Sequence, residues 1–366
     1  MKQITFLLFN ACSSPGGGYK MIFEHANRLV QKGFKVNIVC PVSLNWQKGS
    51  LYYKFQCIYS YFLRKYKIGY DCSSWFPIDK RIKFYLTFSL NYRHVPESDI
   101  YIATEVRTAP YLEKYPISPS RKFYFIQGYE NWFVSDEEVR NTYHYKMNKF
   151  VITNWLRDIV ENEEHEKCVL IPNGFDFDEY KLTKQIENRD KFTISMLYNE
   201  QEVKDCRTAL KALDIVKEKY PQIKVLAFGT YPNPGFPNWY FYYRKPTSEQ
   251  HLYINNEAAI YVASSKVEGF GLTVGEAMLC GQAVACTDNL GYQEMAKHEE
   301  TALLSPITNS QLLAENIIRL IENDELRIRL AYNGLQYIQK NFVWEKSNAL
   351  LVNFISVPLK SGRIKY

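Results

Sequence analysis

Ser264-Ser265-Lys266-Val267-Glu268-Gly269-Phe270-Gly271-Leu272-Thr273-Val274-Gly275-Glu276 is the stretch around which the chain is organised. It follows Ala258-Ala259-Ile260-Tyr261-Val262-Ala263, an apolar, partly β-branched run that reads as a buried strand. It leads into Val274 to Cys280, a short helical pattern closed by Gly281 as a C-cap. The order is strand, glycine-bearing turn, helix. Glycines let backbone N–H groups approach a ligand closely, and a helix N-terminus presents unpaired donors and partial positive charge, which suits a phosphate. Two carboxylates bracket this anion site, Glu268 before the turn and Glu276 inside the helix. The plainer alternative is a surface glutamate pair flanking an ordinary turn.

Working outward, Phe192 to Leu197 reads as a strand, followed by a loop to Asp205 that carries Lys204, a helix from Cys206 to Lys219 and a strand from Ile223 to Phe228. A Pro- and aromatic-rich loop from Pro232 to Pro246 includes Tyr242-Tyr243-Arg244, readable as a further strand. Ser248 to Asn256 is the helix before the organising strand. Beyond Gly281 come a strand at Ala283 to Thr287, a helix starting at Gly291 to Met295, and a strand at Thr301 to Leu304. Amphipathic helices at Ser310 to Glu322 and Asp324 to Asn341 follow, then a last helix at Trp344 to Phe354 and a basic tail with Lys360, Arg363 and Lys365.

The first half opens with a strand at residues 4–9, the turn Pro15-Gly16-Gly17-Gly18, a helix from Tyr19 to Gln31 closed by Gly33, and a strand from Phe34 to Cys40. This is a β-α-β unit with a glycine-rich first turn, the opening of a Rossmann-like domain. It lacks Gly-x-Gly-x-x-Gly, and no acidic residue follows the second strand, which disfavours NAD. Further strands read at Asp99 to Ala103, Lys122 to Gln127 and Lys149 to Asn154, with helices at Thr108 to Tyr115 and Trp155 to Asn162. The strand from Lys122 delivers Gln127-Gly128-Tyr129-Glu130 at its C-terminal end, where open α/β sheets place ligands.

Between Glu24 and Asp71 there is no Asp or Glu but eight Lys and Arg. Leu51 to Ile68 interleaves Tyr52, Tyr53, Phe55, Tyr59, Tyr61, Phe62 and Tyr66 with Lys54, Arg64, Lys65 and Lys67. Two readings stand: a core-facing aromatic helix with a solvated basic side, or a surface for an anionic membrane.

At 366 residues the chain has the length of about two domains, and with 46% hydrophobic and 23% charged residues its composition is that of a folded protein. A net charge of +6 suits anionic substrates or a membrane surface and is too small to argue for nucleic acid. No apolar run approaches the ~18 residues needed to span a bilayer. The N-terminal apolar run is short and enters a glycine turn directly, so it reads as a first strand and not a signal peptide. Eight scattered cysteines without Cys-x-x-Cys spacing point to reduced thiols, a cytoplasmic setting and no zinc site.

Glu268-Gly269-Phe270-Gly271-Leu272, followed by Glu276-Ala277-Met278 and Cys280-Gly281-Gln282-Ala283-Val284, resembles the Glu-x7-Glu donor-site signature of the retaining glycosyltransferases of family 4 (group 1). The resemblance extends over nearly the whole chain. The glycine turn Gly16-Gly17-Gly18 resembles the cleft-facing turn of the family's acceptor-side domain, and Pro172-Asn173-Gly174 the family's interdomain linker. Tyr124-Phe125-Ile126-Gln127-Gly128-Tyr129-Glu130 resembles a subgroup that includes rhamnosyl-type polysaccharide glycosyltransferases; the His that many members carry in this loop is absent. The arginine step common after the first strand of the second domain is also absent, Met196-Leu197-Tyr198-Asn199 standing in its place.

The resemblance implies an α/β GT-B fold, two Rossmann-like domains facing a cleft: 1–175 on the acceptor side, 176–342 for the nucleotide-sugar donor, and 343–366 as a helix crossing back plus the basic tail. Glu276 would hold the ribose and Glu268 the sugar hydroxyls. Lys204 and the backbone of Gly269, Phe270, Gly271, Leu272 and Thr273 would stabilise the leaving diphosphate, with no metal or other cofactor. Gln127 and Glu130 are the acceptor-side candidates. The implied partners are a nucleoside-diphosphate sugar and a glycan or lipid-linked acceptor, in bacterial surface polysaccharide assembly. A hydrolase fits poorly. Retaining hydrolases hold two carboxyls about 5–5.5 Å apart, whereas eight helical residues rise about 12 Å. A GT-B-like epimerase or phosphorylase and a non-catalytic nucleotide-sugar-binding subunit remain alternatives.

Overall fold

The computed structural model describes residues 2–46, 49–164 and 167–356; the basic tail lies outside them. The chain divides into two compact units, Met1–Pro172 with Glu345–Tyr366, and Asn173–Trp344. Phe175, placed in the first domain by the sequence, belongs to the second unit because its ring packs on Phe270 and Phe342 there.

The first unit is built on a parallel sheet of seven strands among the described residues: β1 (Gln3–Leu7), β2 (Lys35–Pro41), β3 (Lys83–Thr87), β4 (Ile100–Ala103), β5 (Lys122–Ile126), β6 (Asn148–Val151) and β7 (Val169–Leu170). The order is β3-β2-β1-β4-β5-β6-β7. Its central strands are apolar almost throughout because both faces of a parallel sheet are covered; Ile4, Phe6, Ile102, Phe125 and Phe150 are all buried. The polar residues that do enter are paired: Thr5 and Ser98 share a 2.6 Å hydrogen bond, and Asn37 Nδ2 donates to Thr5 Oγ1 at 3.1 Å. The helices are α1 (Gly17–Gln31), α2 (Leu51–Leu63), α3 (Ala109–Glu113), α4 (Asp136–Tyr143) and α5 (Asn154–Glu164). From β1 the chain winds outward through β2 and β3, then returns to place β4 on β1's other side. The switch point therefore lies between β1 and β4.

The α2 segment corrects one expectation. Most of its aromatic residues do not face a core: Tyr52, Phe55, Tyr59 and Phe62 are exposed with Leu51, and so are Tyr66 and Ile68 in the π-helical turn Arg64–Ile68 that follows, whereas Tyr53 and Tyr61 are half-buried, bonded to Ser43 and stacked on Phe88. Cys57 is the one buried residue of α2. Aromatic spacing is the same for an inward and an outward stripe, so the spacing alone had no power to choose.

The second unit is a parallel sheet of six strands among the described residues, β8 (Thr193–Tyr198), β9 (Lys224–Gly229), β10 (Tyr240–Arg244), β11 (Ile260–Ala263), β12 (Ala283–Thr287) and β13 (Ala302–Ser305), in the order β10-β9-β8-β11-β12-β13. Around it lie α6 (Cys206–Lys219), α7 (Ser248–Glu257), α8 (Leu272–Leu279), α9 (Ser310–Glu322) and α10 (Asp324–Asn341). The helix read at Gly291 is only a 3₁₀ turn, Tyr292–Glu294. Here the switch point lies between β8 and β11. The last helix, α11 (Trp344–Ser356), sets Phe354 against Phe123 and Phe150 of the first unit's sheet, to which the chain from Glu345 belongs.

Candidate functional site

The loops leaving β8 and β11 meet at the second unit's switch point. Lys204 ends a 3₁₀ turn after β8, and Glu268 sits in the turn after β11. Lys204 Nζ donates to both carboxylate oxygens of Glu268, at 2.7 and 2.8 Å. The pair is largely shielded, with side-chain exposures of 24% and 13%, so solvent screens it less than a surface pair. The two loops are also tied by backbone: Lys266 N donates to Val203 O, and Ser264 Oγ to Asp205 O.

Three further residues hold Glu268. Ser265 Oγ donates to its Oε1 at 2.7 Å, and the buried Tyr292 hydroxyl donates to Ser265 Oγ at 3.0 Å. Burial, followed by the Glu268 charge, pushes the Tyr292 phenol well above its usual range, so it stays a donor. Asn289 Nδ2 donates to Ser265 O, while its Oδ1 accepts from the N–H groups of Gly291 and Tyr292. Asn289 and Tyr292 reach the turn from the loop after β12, so nothing in the Glu268 to Glu276 stretch itself marks them. The available signal was the Asn-x-Gly turn chemistry at Asn289.

The glycine turn is shaped as its sequence requires. Gly271, the N-cap of α8, has φ 92° and ψ 49°, the left-handed region. A Cβ there would stand 2.5 Å from the Tyr292 ring. Phe270 is turned inward against Phe175 and Phe342, so its backbone and not its ring is available to a ligand. Glu276 is buried one turn into α8. Beside it lies Tyr180, whose phenol is raised well above its usual range, first by burial and then by the Glu276 charge. Val274, Ala277 and Met278 anchor the helix in the core. The structure therefore brings Lys204, Glu268 and the turn from Gly269 to Thr273 together, with Glu276 on the helix that the turn opens.

Gln127 and Glu130 belong to the first unit. Gln127 Nε2 donates to Thr104 O at 3.3 Å, and its buried Oε1 has no hydrogen-bond partner. A Cβ on Gly18 would stand 3.6 Å from the Gln127 amide, so the glycine turn and Gln127 adjoin. Gly16 is the N-cap of α1 and Gly17 its first residue. Glu130 is buried, and its Oε2 accepts from Val106 N at 2.6 Å. Burial, then the Glu105 charge, raise its carboxyl well above the usual range.

The chain has the α/β GT-B fold, with two Rossmann-like domains. Residues 178–337 match the family described as Glycosyl transferases group 1. HepE of Anabaena, solved with UDP-glucose, superposes with a TM-score of 0.70 over 97% of this chain and 100% of that one, at 16% identity. Among curated proteins, the uncharacterized glycosyltransferase MJ1178 of Methanocaldococcus jannaschii is 37% identical over 90 residues, 25% of each chain. The N,N'-diacetylbacillosaminyl-diphospho-undecaprenol alpha-1,3-N-acetylgalactosaminyltransferase of Campylobacter jejuni is 36% identical over 77 residues, 21% of this chain and 20% of that one. These alignments span about a quarter of the length of those curated relatives.

Proposed function

We propose that the chain is a retaining glycosyltransferase that moves a sugar from a nucleoside-diphosphate sugar to a glycan or lipid-linked acceptor. The observation that carries this reading is the Lys204–Glu268 pair at the switch point, opening onto a glycine turn and a helix with Glu276 buried in it. Lys204 and the backbone N–H groups from Gly269 to Thr273 stabilise the charge that develops on the departing diphosphate, and no metal is required of them. Glu268, held by Ser265 as well as Lys204, orients the sugar hydroxyls; Glu276 binds the ribose. Departure and attack on one face of the sugar retain its configuration, and positioning supplies most of the rate. HepE, solved in complex with UDP-glucose, supports the donor class, and the Campylobacter relative's name supports a lipid-linked acceptor.

The reading extends to rhamnosyl-type chemistry in surface polysaccharide assembly, on the Gln127 to Glu130 resemblance, and to the cytoplasmic face of an anionic membrane. The exposed aromatic residues of α2, with the exposed Lys65 and Lys67 of the turn after it, support that contact. No helix among the described residues is long and apolar enough to cross a membrane. The first test is calorimetric and thermal-shift titration of UDP, GDP, TDP and ADP against wild type and Glu276→Ala. One diphosphate should bind wild type and bind the variant about tenfold or more weakly. Binding of none of the four, or equal binding to both proteins, overturns the reading.

A further inference from the structure

A cavity of about 1190 Å³ opens in the first unit, formed largely by loops at the C-terminal ends of its strands. Phe9 and Asn10 come from the loop after β1, residues 42–46 from the loop after β2, and Val106 and Arg107 from the segment after β4. The cavity therefore sits at the sheet's switch point, the crevice where open α/β sheets take ligands. No sequence motif marks it, because its walls come from segments far apart in the chain.

Its lining is of two kinds. Trp46, Tyr53, Tyr92, Tyr111, Tyr115 and Tyr145 supply aromatic surface. Several of their hydroxyls are already engaged: Tyr53 with Ser43 Oγ at 2.7 Å, Tyr115 with Leu90 O at 2.7 Å, and Tyr111 with Leu44 O. The rings are thus held in place, and what they offer a ligand is chiefly apolar faces, which suit the C–H face of a sugar ring. The charged lining is lopsided. Arg93, Arg107 and Lys114 line the cavity together with His94, against Glu138 as the single acidic residue among the lining. Glu138 is committed to capping α4, where its carboxylate accepts from Ser135 N and Oγ.

Arg107 is the built part of this lining. Its guanidinium lies against two neighbouring rings, 4.4 Å from the Phe9 centroid and 3.7 Å from that of Phe133. Its Nε donates to Glu105 Oε1. Its Nη2 is buried and has no hydrogen-bond partner. A clamped guanidinium with a spare buried donor is arranged to receive an acceptor oxygen from a ligand, and an anionic oxygen best of all. The preceding residue is also pinned, by the Val106 N–H bond to Glu130.

We propose that this cavity binds the acceptor of the transfer reaction, and that the acceptor is a sugar bearing an acidic group, phosphate or carboxylate, held by Arg107 with Lys114 and Arg93 while the sugar ring lies on the aromatic wall. The acceptor assignment rests on the transferase reading above; the ligand chemistry rests on the cavity alone. A phosphate would come from a lipid-phosphate-linked sugar and a carboxylate from an acidic glycan.

The test uses the full-length chain and calorimetric titration with glucose 1-phosphate, glucuronic acid and methyl glucoside, on wild type and Arg107→Met. Each protein is also titrated with the nucleoside diphosphates. At least one acidic sugar should bind wild type about tenfold or more tightly than methyl glucoside, and Arg107→Met should abolish that preference while leaving diphosphate binding unchanged. A tighter glucose 1-phosphate indicates a phosphate-linked acceptor, and a tighter glucuronate an acidic glycan. Equal binding of acidic and neutral sugars, or a preference that survives Arg107→Met, overturns the proposal. So does failure of all three to bind a protein that still binds a diphosphate, in which case the donor reading stands. Acidic-sugar binding that depends on Arg107, without any diphosphate binding, sinks the transferase reading and leaves the cavity. Should Arg107→Met fail to fold, Arg93→Gln with Lys114→Gln, both at exposed positions, decides the matter: an unchanged acidic preference overturns the proposal.

Discussion

Replacing Gly271 by alanine tests how the candidate donor turn is built. Two costs follow from its geometry. A non-glycine residue in the left-handed region loses about 1–2 kcal/mol, and Gly271 stands at φ 92° and ψ 49°. The new Cβ would also lie 2.5 and 2.8 Å from two carbons of the Tyr292 ring, which is fully packed and must shift. Overpacking of that kind costs about 1–3 kcal/mol. Together these give roughly 2–5 kcal/mol, and at about 2–4 °C per kcal/mol for a domain of this size the second unit's Tm should fall by roughly 4–20 °C. Gly235→Ala is the matched control. Its φ is 88°, but a Cβ there meets nothing within 4 Å, so only the conformational cost applies. Its Tm should fall by roughly 2–8 °C. The shift of Tyr292 should also reach Ser265 and Glu268 through their hydrogen bonds, so Gly271→Ala should weaken diphosphate binding and Gly235→Ala should not. Thermal unfolding followed by circular dichroism, with calorimetric titration, reads both. Equal Tm shifts in the two variants, with equal binding, would show that the Tyr292 contact carries no energy and would refute the reasoning.

Glu268→Gln removes the anion on which Lys204 rests, so nucleoside-diphosphate binding should tighten about tenfold while sugar transfer falls about a hundredfold or more; calorimetry and turnover would read these, and unchanged transfer would deny Glu268 a role. Glu130 has a carboxyl raised by burial and then by Glu105, so the folded state holds its proton more tightly than the unfolded chain does. Its stabilising contribution is complete below the ordinary carboxyl value and is lost as pH rises through the raised one. Glu130→Gln should flatten the fall in Tm with rising pH, and parallel Tm–pH curves for the two proteins would refute this. Reversing Lys54, Arg64, Lys65 and Lys67 on the α2 segment to glutamate should abolish co-sedimentation with anionic vesicles, at about 1 kcal/mol per charge, and equal sedimentation with wild type would remove the membrane contact.

Local patterns determined the succession of elements. Buried strands of a parallel sheet are continuous apolar runs and helices carry an amphipathic period, so β11, α8, α9 and α10 were legible at nearly their observed bounds. The Glu268 to Glu276 stretch was legible for the same reason: strand, glycine turn and helix are adjacent in sequence, and the left-handed Gly271 is written as glycine. Three elements escaped that reading. β3 (Lys83–Thr87) is a short run at a sheet edge, where burial is only partial, β7 (Val169–Leu170) is two residues long, and α4 announced itself only by its Ser135–Glu138 capping box. What the tertiary structure alone decided is everything that meets from distant segments. Lys204 reaches Glu268 because β8 and β11 are neighbours, Tyr292 and Asn289 arrive from the loop after β12, and the basic cavity closes between the loops after β1, β2 and β4. The direction of the α2 aromatic stripe belongs to the same group. Sequence periodicity states that a helix has a face, while only the packing of its neighbours states which way that face looks.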